Sequence, residues 1–288
     1  MPPDRIPSPA EALLSRETQL RYGLVPAELD GVPVPEDGHF LSGEAYLLRS
    51  EGLSFLYRKG EGITVERSAD ADLSAESLWL NGSVYAAIAC INGFKPIHAS
   101  AVAYLGEVIA FTGPSGAGKS TLIAALGKLG LPMFCDDTLV LDLSDPARII
   151  CLPGHKRLKL TPEALALTGT EVQEKVGTMI DKYYARPPSG EVGRSLPLAR
   201  LVFLETGPKL AITEIAGAER FTRLTDDHYT EALFASARRL DRSEQFALQA
   251  RLAQQIPMTQ LTRPRDRLQF AASAQLAAKL VRNEEKSA

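Results

Sequence analysis

The chain has 288 residues, 45% of them hydrophobic, which is enough to bury one large core and a smaller second one. Its formal net charge of -3 gives no overall basic field, so we expect neither nucleic acid nor a membrane as its partner. The N-terminus lacks a signal-peptide pattern and no run reaches roughly 18 apolar residues, which predicts a cytoplasmic protein. Three cysteines with apolar neighbours and no CxxC spacing predict buried free thiols.

The first 95 residues predict an arm, a small β unit and a helix. Residues 1–38 are rich in proline and charge, with one short amphipathic stretch at residues 10–20 that is typical of a helix. Between residues 40 and 67, three runs alternate apolar with polar side chains and are separated by turn compositions, which predicts an antiparallel β unit. Residues 74–92 are apolar and rich in alanine, so we expect a largely buried helix there.

The pattern of apolar residues along the chain changes near residue 95. The runs IHASAVAYLG and EVIAFTG predict apolar strands, and STLIAALGKLG, after a glycine-rich turn, predicts a helix. MFCDDTLVLDL is interpreted as a strand that passes through a pair of acids. We therefore divide the chain into residues 1–95, with the arm, the β unit and the helix, and a main domain in residues 96–288.

The rest of the main domain predicts strands mixed with helices. Residues 171–193 are polar and rich in turn-forming residues, which favours a mobile loop between fixed strands. LARLVFLE and LAITEI are typical of core strands, and the chain after residue 225 is mostly helical in pattern apart from a short strand within IPMTQLTRPRD. This order of elements predicts the α/β fold class.

The segment GPSGAGKST fits the pattern Gly-x-x-x-x-Gly-Lys-Ser/Thr and lies between a predicted strand and a predicted helix, the context that a P-loop requires. Glycines there let successive backbone N–H groups converge on phosphate oxygens at a helix N-terminus. The motif predicts that ATP or a similar nucleotide binds to nine consecutive residues: Gly113, Pro114, Ser115, Gly116, Ala117, Gly118, Lys119, Ser120 and Thr121.

Within this motif, side chains take separate roles. Lys119 supplies a cation near the phosphate that is transferred, and Ser120 is placed to coordinate Mg²⁺. Thr121 is expected to cap or pack in the first turn of the helix. The predicted cofactors are therefore ATP and Mg²⁺.

Two further features of the sequence are candidates for metal binding or catalysis. Asp136 and Asp137 follow the P-loop by about one helix and one strand, so one carboxylate could hold Mg²⁺ while the other accepts a proton from a hydroxyl nucleophile. His98 precedes the P-loop by one strand-turn-strand unit, and a lone histidine among apolar residues is more often a satisfied core residue than a catalytic one.

PIHASAV, GPSGAGKST and CDDTLVLD, in this order and spacing, resemble the C-terminal catalytic domain of HPr kinase/phosphorylase and its relatives over residues 97–143. That family is a P-loop branch related in fold to phosphoenolpyruvate carboxykinase. The resemblance implies an α/β kinase core of this type in residues 96–288, preceded by a small β-rich N-terminal domain.

The resemblance also implies roles for residues. The histidine before the P-loop and the second acid act together at the attacking serine hydroxyl in that family, which maps onto His98 and Asp137, and Lys119 stabilises the transferred charge. Asp136 and Ser120 would then hold magnesium. The implied partner is a small protein or precursor peptide that carries the acceptor serine.

The N-terminal part distinguishes this chain from the bifunctional enzymes of the family. The glycine-rich signature associated with their phosphorylase reaction is not found downstream, so dephosphorylation by phosphate is not expected. The β-rich unit, the helix and HASAV look like the HPr-kinase-like proteins found with lasso-peptide biosynthesis, which phosphorylate a precursor peptide at its C-terminal serine.

Alternatives remain open at the level of the sequence. The chain could be a nucleotide-gated binding or scaffold module without turnover, or a small-molecule kinase, since a P-loop does not specify the acceptor. A homo-oligomer is compatible with the sequence. Lys156, Arg157 and Lys159 could attract phosphates or an acidic peptide end, although a solvated basic face is the favoured interpretation.

Overall fold

A computed structural model of the chain describes residues 5–154, 157–178, 180–224 and 229–284. Within these ranges the protein is a mixed α/β structure that contains both parallel and antiparallel strand pairs. A five-stranded sheet lies in the N-terminal part, and an eight-stranded sheet begins at Lys95. Lys156, one member of the predicted basic cluster, lies outside the described residues.

The N-terminal part contains short strands and three consecutive helical segments. In chain order these elements are α1 (Pro9–Glu17), β1 (Leu20–Tyr22), β2 (Glu28–Leu29), β3 (Val32–Pro33), β4 (Gly38–Ser42), β5 (Ala45–Ser50), β6 (Leu53–Arg58), β7 (Gly62–Arg67), α2 (Glu76–Trp79), a π-helical turn (Leu80–Val84) and α3 (Tyr85–Ile91).

The predicted antiparallel β unit is confirmed. Strands β4 to β7 pair antiparallel in sequence order, and β1 adds to β7 in parallel. Along β6 the side chains alternate between buried and half-buried, as expected for a sheet with one face on a core. The predicted amphipathic stretch is α1, which Ser8 caps by accepting a hydrogen bond from the backbone N–H of Glu11.

The single helix predicted over residues 74–92 is interrupted. Between α2 and α3 the chain makes a π-helical turn at Leu80–Val84. This turn contains Asn81, Gly82 and Ser83, which favour an α-helix less than alanine does, and glycine disfavours a helix interior by about 1 kcal/mol. Wider π turns occur frequently at functional sites.

The remaining elements build the central sheet and its covering helices. They are β8 (Lys95–Tyr104), β9 (Glu107–Thr112), α4 (Lys119–Lys128), β10 (Met133–Cys135), β11 (Thr138–Asp142), β12 (Ile150–Leu152), β13 (Leu158–Leu160), α5 (Pro162–Thr168), β14 (Val172–Lys175), β15 (Tyr183–Ala185), β16 (Leu196–Thr206), β17 (Ala211–Ile215), α6 (Ala218–Arg223), α7 (Tyr229–Arg238), α8 (Arg242–Gln255), β18 (Met258–Arg263), a 3₁₀ turn (Arg267–Gln269) and α9 (Phe270–Arg282).

Strand β8 organises the central sheet. It pairs antiparallel with β9, with β10 and with β11, while β16 pairs in parallel with both β9 and β18. Helices α4 and α9 share one buried cluster with the strands, and α8 packs into a second cluster that contains the alanines of β8. The sheet is therefore covered on both faces, as expected for an α/β core.

The predicted continuous strand through the acid pair is wrong. Strand β10 ends at Cys135 and β11 begins at Thr138, so the chain bends at Asp136 and Asp137. Asp137 has φ 74°, in the left-handed region that aspartate tolerates better than most residues. The bend lets the two short strands pair with different parts of β8.

The segment predicted as a loop at residues 171–193 contains two strands. β14 and β15 pair antiparallel, and β15 also pairs with β13, which gives a three-stranded sheet. Tyr184 of β15 is buried and Ala185 packs into the core cluster under α4. These buried contacts explain why a polar, turn-rich sequence still forms strands.

A buried core joins the two parts that the sequence divides near residue 95. Helix α3 and strands β5 to β7 share one hydrophobic cluster with Val140 and with Leu233 and Phe234 of α7. The division into residues 1–95 and 96–288 stays a prediction. The predicted burial of the thiols is confirmed, since Cys90, Cys135 and Cys151 are free and buried. Among the described helices, none combines the length and hydropathy needed to cross a bilayer.

A buried carboxylate ties α1 to the five-stranded sheet. Glu17 is 1% exposed and accepts hydrogen bonds from the Tyr57 hydroxyl at 2.8 Å and the Gly60 amide at 2.7 Å. Burial opposes the ionisation of Glu17, but these bonds and Arg16 together hold its pKa below the ordinary value. The ionised form of Glu17 therefore stabilises the fold.

We expect Glu17→Gln to lower the free energy of unfolding at neutral pH by about 1–3 kcal/mol, because a charged acceptor is lost. Since the folded pKa is depressed, this stabilisation exists above the unfolded pKa of about 4.3 and is lost as the pH falls through the folded value. Urea unfolding of wild type and variant between pH 7 and pH 3 measures the effect. Glu107→Gln, at an exposed position, is the control, and an equal loss in both variants would contradict the assignment.

Candidate active site

The glycine-rich loop connects the end of β9 to the start of α4. Gly113, Gly116 and Gly118 have φ values of 143°, 77° and 81°, which L side chains rarely adopt. A Cβ at Gly113 would lie 2.9 Å from the Leu204 carbonyl oxygen, and one at Gly118 would lie 2.5 Å from Arg263 Nη2. The loop therefore requires glycine for its conformation and for the close approach of its neighbours.

The first residues of α4 place three polar side chains beside this loop. Lys119 is 7% exposed, and its Nζ donates hydrogen bonds to the carbonyl oxygens of Gly113 at 2.8 Å and Pro114 at 3.3 Å. Ser120 and Thr121 are half-buried in the same turn. The start of α4 thus combines unpaired amide dipoles with a cation, the arrangement that suits a bound anion.

The acid pair and the start of the glycine-rich loop flank the same stretch of β8, residues 98–101. Both β9 and β10 run antiparallel to β8, with Thr112 opposite Ala99 and Cys135 opposite Ala101. Thr138, just after the acid pair, lies opposite His98, so β8 runs between the two segments. Since neighbouring strands lie about 4.8 Å apart, their backbones are separated by roughly 10 Å across β8.

Asp136 is fixed by two hydrogen bonds. It is 6% exposed; its Oδ1 accepts from the Ser100 hydroxyl at 2.6 Å and its Oδ2 accepts from the Lys159 amide at 3.1 Å. Each carboxylate oxygen keeps a second acceptor site. The position and orientation of this side chain are therefore set by β8 and β13.

Asp137 contacts both His98 and Lys159. Its Oδ2 lies 2.8 Å from Lys159 Nζ, its Oδ1 lies 3.4 Å from His98 Nδ1, and its carbonyl oxygen lies 3.1 Å from the same nitrogen. Burial opposes the ionisation of Asp137, but the charges of Lys159, His98 and Lys182 lower its pKa to about 2. Asp137 is accordingly an ionised carboxylate that is still 38% exposed.

His98 links the acid pair to the glycine-rich loop. It lies on β8 opposite Thr138, the first residue after the acids, and its carbonyl oxygen accepts a hydrogen bond from the Thr112 hydroxyl at 2.9 Å. Thr112 is the last residue of β9 before the loop. The structure thus brings His98 and Asp137 into contact, and it places the glycine-rich loop one strand away from them.

Lys159 is a site residue that the sequence named only as a member of a basic cluster, without its acid partner. The favoured interpretation of its cluster, a solvated basic face, is wrong for this residue, whose side chain is 14% exposed. Burial disfavours its charge, but Asp137 and Asp136 together raise its pKa above the ordinary value. The alternation Leu158-Lys159-Leu160 indicates only that the lysine faces away from the leucines, so its pairing with an acid 22 residues earlier could not be read from the sequence.

Arg263 is a second residue that the sequence did not identify. It ends β18 and its guanidinium donates a short hydrogen bond to the Ala117 carbonyl oxygen in the glycine-rich loop. Burial and the neighbouring Arg265 lower its pKa. β18 is parallel to β16 and β16 to β9, and the ends of parallel strands lie on the same side of a sheet, so Arg263 lies near the loop. This strand order could not be derived from the sequence.

The side chains near the glycine-rich loop and the acid pair could hold magnesium only together with oxygen atoms of a substrate. Among the described residues there is no group of three or more His, Cys, Asp or Glu that could hold a metal ion by itself. Magnesium in phosphoryl-transfer sites uses one or two protein oxygens with phosphates and waters. Ser120 and Asp136 supply protein oxygens of this kind, so the residues fit a metal that arrives with a nucleotide.

Comparisons with known proteins add little to this geometry. No model of a known protein family matches the sequence, and no curated protein matches it. Among solved structures, the chain is similar to the Hpr(Ser) kinase/phosphatase from Coxiella burnetii, with 14% sequence identity and a TM-score of 0.31, over 66% of this chain and 96% of that one. At these values the similarity carries no argument about function, which has to come from the site itself.

We expect Ser100→Ala to destabilise the protein by about 1–3 kcal/mol, because Asp136 then loses a buried donor and the Asp137 amide loses an acceptor. The free energy of urea unfolding, compared with wild type, measures this loss. Ser144→Ala, at an exposed position, serves as the control and should change stability by less than about 0.5 kcal/mol. Equal unfolding midpoints for the two variants would mean that the Ser100 hydroxyl does not hold the acids.

Proposed function

We propose that the chain is an ATP- and Mg²⁺-dependent kinase that transfers the γ-phosphate to a serine hydroxyl of a small protein or peptide. One observation carries the proposal. An ionised, partly exposed carboxylate, Asp137, is oriented by Lys159 and His98 one strand away from the start of the glycine-rich loop. A base beside a phosphate-binding loop is what transfer to a hydroxyl requires.

The residues of the loop support nucleotide binding. The backbone from Gly113 to Gly118 leads directly into the N-terminus of α4, where N–H groups and the helix dipole favour phosphate oxygens. Lys119 holds its ammonium group over this loop. When bound, ATP with Mg²⁺ supplies the phosphoryl group and neutralises part of its charge, and Ser120 and Asp136 are the protein oxygens proposed to hold the metal.

In the proposed reaction, Asp137 orients the acceptor hydroxyl and takes its proton. The acceptor oxygen bonds to the γ-phosphorus while the bond from that phosphorus to ADP breaks, and the hydroxyl proton moves to a carboxylate oxygen of Asp137. With a pKa of about 2, Asp137 is a weak base, so its main contribution is to position the hydroxyl until charge develops on the acceptor oxygen. Lys159 and His98 hold the carboxylate in place, and Lys119 stabilises charge on the transferred group.

Serine as the acceptor is supported by the resemblance of PIHASAV, GPSGAGKST and CDDTLVLD to HPr kinases. The narrowest form of the proposal is the C-terminal serine of a lasso-peptide precursor, supported by the small β-rich unit and helix before HASAV. A small-molecule kinase differs from this proposal in the acceptor alone.

The experiment is transfer of labelled γ-phosphate from ATP with Mg²⁺ to a panel of serine-ended peptides and an HPr-type protein. We expect one acceptor to be labelled by the wild type, and Asp137→Asn to lower the rate by about 10²–10⁴-fold while ATP still binds. Asparagine tolerates the left-handed backbone at this position, so the bend is kept. Asp70→Asn, an exposed acid, is the matched control and should transfer label at the wild-type rate.

Two results would contradict the proposal. Undiminished transfer by Asp137→Asn would remove the proposed base. Tight ATP binding without label on any acceptor, including small hydroxyl compounds, would favour a nucleotide-gated binding module.

A further inference from the structure

A small notch lies beside Asp136. It is lined by the helical segments before β8, by the first residue of the acid pair, and by residues in or next to the three-stranded sheet: Ser77, Leu78, Asn81, Asp136, Arg157, Lys159 and Tyr184. Its volume is about 10 Å³, room for one water-sized group. The notch therefore fits a single oxygen atom of a ligand.

Tyr184 indicates that this notch is built for a ligand. The residue is 2% exposed, and its buried hydroxyl has no hydrogen-bond partner among the described residues. Buried polar groups in proteins are almost always hydrogen-bonded. We therefore expect the unpaired hydroxyl at the wall of the notch to hydrogen-bond to an oxygen or nitrogen atom of a ligand. The guanidinium of Arg157, whose Cζ lies 3.6 Å from the centre of the tyrosine ring, holds that ring in place.

The other groups of the notch favour an oxyanion. Arg157 and Lys159 are cations, and Ser77 and Asn81 offer further donors. The carboxylate of Asp136 also lines the notch, but its single negative charge is outnumbered there by the positive charges of Arg157 and Lys159. Arg157 is paired with Glu174, whose side chain is 59% exposed, so a ligand carboxylate could share the guanidinium with it.

The notch is next to the proposed base. Lys159 lines it, and Lys159 Nζ donates a hydrogen bond to Asp137 Oδ2 at 2.8 Å. Only the Lys159 side chain therefore lies between a group in the notch and that carboxylate. Ser77 belongs to α2 and Asn81 to the π-helical turn, which means that the N-terminal part of the chain supplies one wall. This gives the interrupted helix a functional reason.

We propose that the notch binds one carboxylate oxygen of the phosphoryl acceptor, immediately beside the hydroxyl that is phosphorylated. The inference rests on the proposed kinase function and adds the chemistry by which the acceptor is recognised. The carboxylate has two chemical sources, the C-terminus of a peptide that ends in serine or the side chain of an acid that follows the serine.

Three peptides separate these sources: one ending in serine with a free carboxylate, the same peptide amidated, and an amidated peptide in which aspartate follows the serine. Equilibrium binding to the full-length protein is measured first, since it does not depend on phosphoryl transfer. We expect a peptide with a carboxylate to bind about tenfold or more tightly than the amidated serine peptide. Whichever of the two acidic peptides binds more tightly identifies the source.

The variant Tyr184→Phe tests whether the notch is the binding site. It removes only a hydroxyl that has no hydrogen-bond partner among the described residues, so folding should be preserved, and it should abolish the preference for the carboxylate. Tyr183→Phe, the neighbouring tyrosine, is the matched control and should keep that preference. In transfer assays the Tyr184 variant should raise KM with little change in kcat, because the base is untouched.

Equal binding of acid and amide peptides, no binding of any peptide, or an unchanged preference in Tyr184→Phe would overturn the inference. Carboxylate-dependent binding that requires Tyr184, without phosphate transfer, would support the notch and contradict the kinase.

Discussion

The ion pair between Lys159 and Asp137 is the interaction on which the candidate site depends. It fixes a carboxylate at a backbone bend with φ 74°, a conformation that needs support from its surroundings. Lys159 also donates its backbone amide to Asp136, so one residue of β13 positions both acids. Without that strand, two adjacent carboxylates would repel each other beside a phosphate-binding loop, where further negative charge would arrive with the substrate.

The N-terminal part contributes to the same site through packing. Helix α3 is buried against the five-stranded sheet and α7, and Lys95, at the start of β8, forms an ion pair with Glu231 of α7 at 2.7 Å. Close to them, Arg157, the residue before β13, donates a hydrogen bond to the Ser77 hydroxyl of α2 at 3.4 Å. The proposed acceptor site is therefore shared between the two parts of the chain, because α2 and the π-helical turn supply one wall of it.

Local signals predicted much of this architecture, and tertiary contacts account for the rest. Alternation predicted β5 to β7, and the spacing of GPSGAGKST predicted a loop between β9 and α4, because both depend on neighbouring residues only. The bend at Asp137 could not be predicted, because CDDTLVLD has the composition of a strand. Aspartate tolerates a left-handed backbone, so no glycine marks the bend in the sequence. Lys159 and Arg263 reach the site from β13 and β18, and no short-range pattern reports such long-range pairings.

The most direct test of the account is equilibrium binding of ATP with and without Mg²⁺ to wild type and to Lys119→Ala, with unfolding stability measured in parallel. The account predicts magnesium-assisted binding to the wild type. It predicts a large loss of affinity in the variant, because alanine lacks the ammonium group that contacts the phosphates. Equal affinities in two folded proteins, or no ATP binding by the wild type, would contradict the claim that the glycine-rich loop is a nucleotide-binding site.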